Sequence, residues 1–134
     1  MKPLEIFLAE DNEADVLLVR QALHEHSIEH KLHVVRDGHA AIQFVANIGA
    51  SADAPCPDLL LLDLNLPKVD GMDVLRAFRD HPQCRGTPVI IISSSGVERD
   101  RLLVNGLGIS RYFQKPFDLD EFMKLGALVR ELGG

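Results

Sequence analysis

None of the chain's apolar runs approaches the roughly 20 residues that a membrane-spanning helix needs. Its first ten residues hold one basic side chain and then an apolar stretch too short for a secretion signal, so a cytoplasmic location is expected. Cysteine is scarce. Cys56 and Cys84 stand far apart and form no Cys-x-x-Cys pair, which predicts two free thiols in a reducing compartment. There is no cluster of Lys and Arg, and the formal net charge is -6, so direct nucleic-acid binding has no electrostatic support and a protein partner is expected. A Walker-type phosphate loop is also missing.

What remains is ordinary for a globular domain. The 134 residues are 46% apolar and 25% charged, which predicts one domain over 1–134 with disorder confined to the last glycines. Apolar runs of strand length alternate with segments of helical spacing, five times over. Leu4 to Ala9 reads as a first strand, and Asn12 starts a helix with Val16, Val19, Ala22 and Leu23 on one face. Leu32 to Arg36 reads as a second strand, Gly38 to Ile48 as a second helix, and Gly49 to Pro57 as a loop. Asp58 to Asp63 is apolar on both faces, as a central parallel strand covered by helices would be, and Val89 to Ile92 repeats that character.

Ser95 and Glu98 open a fourth helix, whose glycine-interrupted end at Asn105 to Gly108 predicts fraying. Tyr112 and Phe113 lie in a fifth strand. Asp118 and Glu121 have the spacing of a capping box at the start of the last helix. This alternation predicts an α/β fold, a single (βα)5 doubly wound parallel sheet with right-handed crossovers and its crevice at the carboxyl ends of the strands.

That edge collects the chemistry: Glu10 and Asp11 after the first strand, Asp63 after the third, Ser93 after the fourth, and Lys115 after the fifth. Three crowded carboxylates repel one another unless a cation offsets them, and a hard divalent ion such as Mg2+ takes oxygen ligands and retains water. Glu10, Asp11, Asp63 and the backbone carbonyl of Asn65 are the expected ligands. With the metal and Lys115 able to neutralise phosphoryl oxygens, Asp63 is the expected phosphoacceptor, and Ser93 a second phosphoryl contact. Taken singly, these acids read as loop or cap residues and Lys115 as a solvated charge. Convergence of four strand ends favours the site.

The series Glu10-Asp11, Asp63-Leu-Asn-Leu-Pro67, Asp70-Gly71, Ser93 and Lys115-Pro116-Phe117 resembles the response-regulator receiver family of two-component signalling along the whole chain. The resemblance implies the flavodoxin-like strand order 2-1-3-4-5, phosphorylation of Asp63 by a sensor histidine kinase, Ser93 and Tyr112 as switch residues, and a cis peptide before Pro116. It also implies a phosphoacceptor with at most slow autodephosphorylation rather than a classical enzyme. The segments Glu10 to Asp15, Asp63 to Lys68 and Lys115 to Phe122 are similar to stand-alone regulators of bacterial phytochromes. No output domain is expected, so the downstream target would be a separate protein.

Two features depart from the family pattern. Ser95 replaces a larger polar residue, and Ile109 stands where alanine is usual.

Rival chemistries fare worse. A haloacid-dehalogenase-like phosphatase would want an acid where Asn65 stands, and a flavodoxin-like carrier would not place Glu10 and Asp11 against a cofactor phosphate. A degenerate receiver acting as a binding module should have lost a pocket residue. His24, His26, His30 and His33 have no cysteine partner, so solvated histidines are expected rather than a zinc site. Phosphorylation is expected to shift the surface of the fourth helix, fifth strand and last helix. Val97, Leu102, Val104 and Leu107 there are expected to pair in a homodimer.

Overall fold

The computed structural model describes residues 2–94, 106 and 108–133. Five parallel strands run β1 Leu4–Ala9, β2 His30–Val35, β3 Leu59–Asp63, β4 Val89–Ser93 and β5 Arg111–Gln114, in the order β2-β1-β3-β4-β5. Helices α1 Glu13–Glu25, α2 Gly38–Asn47, α3 Gly71–Asp80, α4 Leu119–Met123 and α5 Leu125–Gly133 cover both faces. The expected α/β fold and strand order are those observed.

The two-residue period of the strands divides the core. Phe7, Leu60, Leu62, Val89 and Ile91 face α2 and α3, whereas Ile6, Leu8, Leu59, Leu61, Ile90 and Ile92 face α1, α4 and α5. Every residue of β3 and β4 is buried, which is why these stretches read as apolar on both sides. On α1, the buried residues are Val16, Val19, Ala22 and Leu23. At the sheet edge, β2 alternates half-buried and exposed positions, and it begins earlier than its apolar run because Leu4 pairs with His30.

Short polar side chains start the helices: Asn12, Asp37, Asp70 and Asp118 each accept a backbone N–H of the first turn. The Asp118–Glu121 capping box is replaced by a different arrangement. Asp118 Oδ1 accepts from Asp120 N at 2.8 Å, while Glu121 turns to Lys124 at 2.9 Å. The last helix is also divided at Lys124. Just beyond, Gly126 lies so close to His26 and the Ala22 carbonyl on α1 that no Cβ would fit.

The cysteines correct the expectation of free thiols. Cys56, in the loop before β3, and Cys84, in the 3-10 turn Pro82–Cys84 after α3, form a disulfide with a Cα–Cα distance of 5.8 Å. Their 28-residue sequence separation hid this, because α3 and its turn fold back beside the entry to β3. Closing a loop of that length stabilises by about 3–4 kcal/mol in the chain-entropy account. Reduction, or Cys56→Ser, is therefore expected to lower Tm by roughly 10 °C. An unchanged thermal unfolding curve under reductant would contradict this.

The histidines separate. His26 Nε2 lies 3.0 Å from the Met123 carbonyl oxygen, His30 Nδ1 lies 2.7 Å from that of Ile28, and His33 Nε2 lies 2.6 Å from Glu5 Oε2. The Lys115–Pro116 peptide is trans, correcting the cis bond that the family resemblance implied. Trans is the lower-energy isomer of an X–Pro bond, and with it the Lys115 N–H still donates to the Ser93 carbonyl at 2.7 Å. The expected cap Ser95, most of the helix expected from there to Gly108, and Val97, Leu102, Val104 and Leu107 lie outside the described residues.

Candidate phosphoacceptor and metal site

Parallel strands deliver their last residues to one edge, and in this sheet those residues are acidic or polar. Glu10 follows β1 and is anchored by its N–H to the Val35 carbonyl at 3.0 Å. Asp63 ends β3, Ser93 ends β4, and Lys115 follows β5. Glu10, Asp63 and Ser93 are the buried polar or charged residues of the described core.

Glu10, Asp11 and Asp63 each present a carboxylate oxygen within 4.8 Å of the others. The Asp63 rotamer is held from two sides, with Oδ1 accepting from the Asn65 N–H at 2.8 Å and Oδ2 from Lys115 Nζ at 2.7 Å. Gly71 lets the chain after Asp63 pack tightly: a Cβ there would meet Leu64 Cα at 2.5 Å. Glu10 Oε2 accepts from the Asn12 N–H at 3.2 Å. Its Oε1 lies 2.8 Å from Lys115 Nζ, yet at an angle that makes no hydrogen bond, so this buried oxygen has only Coulombic compensation.

The electrostatics follow. Burial pushes the Glu10 carboxyl up from 4.5 to about 8, and neighbouring Asp63 adds to the rise while Lys115 opposes it. Burial by itself would lower the Lys115 ammonium, but the hydrogen bonds to Asp15 and Asp63 and the nearby charge of Glu10 outweigh it and hold the lysine charged. One cation thus serves a pocket of several carboxylates. A buried carboxylate oxygen without a hydrogen-bond donor, beside two further carboxylates, is the donor set a hard divalent ion requires. The residues fit Mg2+ or Mn2+.

Of the expected site residues, Glu10, Asp11, Asp63 and Lys115 converge, and the Asn65 N–H supports Asp63. Ser93 is fully buried at the end of β4, and Tyr112 on β5 packs partly buried against the core beneath α2 and α3. Sequence reasoning overlooked Asp15, whose Oδ2 lies 2.7 Å from Lys115 Nζ. The available signal was its place in the first turn of α1, which directly follows the Glu10-Asp11 pair.

The family model for the response regulator receiver domain matches residues 6–126. The chain belongs to that family and is a receiver domain of two-component signalling. Response regulator Rcp1 of Synechocystis sp. is 37% identical over 123 residues, spanning 92% of this chain and 84% of that protein. The structure is also similar to that of the phosphorylated cyanobacterial phytochrome response regulator RcpA, with a TM-score of 0.84, 35% identity, and coverage of 98% of this chain and 94% of that one. The Mn(2+)-bound form of Rcp1 gives a TM-score of 0.81 at 36% identity, covering 96% of this chain and 93% of that one.

Proposed function

We propose that this domain is the phosphoacceptor of a histidine-kinase pathway, with Asp63 as the residue that takes the phosphoryl group. The observation that carries the reading is the Asp63 carboxylate, buried and pinned by Lys115 beside a buried Glu10 oxygen that has no hydrogen-bond donor. Glu10, Asp11, Asp63 and the Asn65 carbonyl would hold Mg2+, which when bound supplies charge neutralisation for the phosphoryl oxygens. Asp63 attacks phosphorus, the donor's imidazole or carboxylate leaves, and Lys115 and Ser93 contact the transferred group.

Similarity to phytochrome response regulators supports a phytochrome kinase as the donor and a separate protein as the target. Ser93 and Tyr112 would carry the change to the surface of β5, the final helices and the helix expected between Ser95 and Gly108, with homodimerisation through that surface. In this reading the protein works in the cytoplasm, with at most slow autodephosphorylation. No described helix is long and apolar enough to cross a membrane.

Incubation with acetyl phosphate and Mg2+, followed by intact mass measurement, should add one phosphoryl group to the protein and none to Asp63→Asn. Chelation of the metal should prevent the gain. An unmodified wild-type mass under all conditions would instead favour a phosphate-independent binding module.

A further inference from the structure

The geometry points to Asp15 as a positioning residue that holds the Lys115 ammonium in place for phosphoryl transfer. This rests on the phosphoacceptor reading of Asp63 and extends it to a residue outside the acid cluster.

The bland explanation for Asp15 is a helix-start acid. It is the third residue of α1, its N–H donates to Asn12 Oδ1 at 3.2 Å, and an acid there complements the helix dipole. In a capping box its carboxylate would turn back to the Asn12 N–H. That donor is already taken by Glu10 Oε2 at 3.2 Å. The Asp15 carboxylate reaches across to β5 instead, and Oδ2 accepts from Lys115 Nζ at 2.7 Å over 100 residues of sequence.

The ammonium makes directed bonds to Asp15 Oδ2 and Asp63 Oδ2, while Glu10 Oε1 stands close without one. Phosphorylation turns an Asp63 oxygen into the bridging oxygen of an acyl phosphate and asks Lys115 to turn to the new phosphoryl group. Of the two directed bonds, the one to Asp15 does not involve the reacting carboxylate, so it can persist through the reaction. The side chains of Asp15 and Lys115 are 19% and 14% exposed, enough shielding from solvent for the bond to constrain the lysine. Asp15 therefore acts as the pivot, keeping Nζ on the α1 side of the pocket whichever partner occupies the other.

The test compares wild type, Asp15→Asn and Asp15→Glu in two measurements. One is the phosphorylation rate with acetyl phosphate at saturating Mg2+, which removes any effect on metal affinity. The other is acylation of Lys115 by an N-hydroxysuccinimide ester in metal-free, unphosphorylated protein, read by peptide mass. Asp15→Asn should phosphorylate about tenfold more slowly, the scale of a displaced rather than a deleted group, and Lys115 should acylate severalfold faster. Asp15→Glu should recover most of both.

Wild-type rates in Asp15→Asn, or Asp15→Glu as impaired as Asp15→Asn, would overturn the assignment. Should Asp15→Asn unfold, Asp15→Ser keeps a polar helix start and faces the same criteria. If wild type itself takes no phosphate, the phosphoacceptor reading falls separately. The acylation comparison then still decides whether Asp15 restrains Lys115.

Discussion

Raising the pH of the metal-free protein from about 5 to 8 is expected to destabilise it by on the order of 3 kcal/mol, through Glu10 alone. Burial, reinforced by Asp63, lifts this carboxyl from 4.5 to about 8 in the folded state. Between those values the native protein keeps a proton that the unfolded chain has released. Protons bound to the native state exceed those bound to the unfolded state, so stability falls as pH rises. The contribution is complete below the unfolded value of 4.5 and gone once pH has passed through the folded value of about 8. A divalent ion competes with that proton, so Mg2+ should raise Tm more at pH 8 than at pH 5.5. Glu10→Gln should flatten the pH slope. Thermal unfolding in chelator across this range is the check, and a wild-type slope no steeper than that of Glu10→Gln would rule out the buried carboxyl as its source.

Lys115→Met is expected to slow phosphorylation by roughly 10²–10³-fold, the cost of deleting one preorganised group that stabilises charge in the transition state. Its stability effect has a different origin. The lysine lies 2.8 Å from Glu10 and 2.7 Å from both Asp15 and Asp63, so its loss leaves buried carboxylates facing one another. Removing one partner of such a cluster costs about 3 kcal/mol or more at pH 8, and less near pH 5.5, where Glu10 carries its proton. The two effects can be separated. Divalent metal can restore charge balance and therefore Tm, but it cannot replace the ammonium at the phosphoryl group. Metal-dependent recovery of Tm with the rate still low is the expected pattern, measured by unfolding and by intact mass. A near-normal rate would remove Lys115 from the transfer step.

The elements that were legible in the sequence are those whose local pattern and tertiary burial agree. The Leu59–Leu62 run is buried on both faces of β3, and the 3.6-residue spacing of Val16, Val19, Ala22 and Leu23 is the buried face of α1. The juxtaposition of Glu10, Asp11 and Asp63 was legible for a topological reason: parallel strands expose the same end, so residues after β1 and β3 must meet. Asp118 shows the limit of local rules. Its spacing to Glu121 suggested reciprocal capping, but Glu121 has Lys124 within reach and takes the charged partner.

The chain's own residue order therefore determined the α/β class, the strand order's carboxyl edge and the acids placed on it, since periodicity and strand-end position are local properties. Tertiary structure alone decided the rest. Cys56 meets Cys84 because a 3-10 turn after α3 folds back beside the loop before β3. The Lys115–Pro116 bond is trans, which the motif did not reveal, since the isomer depends on what the surrounding chain packs against. Asp15 belongs to Lys115 rather than to its own helix because Glu10 occupies the donor that Asp15 would otherwise cap. Each of these turns on competition for a partner in space, and a sequence records which groups can bond but not which rival arrives first.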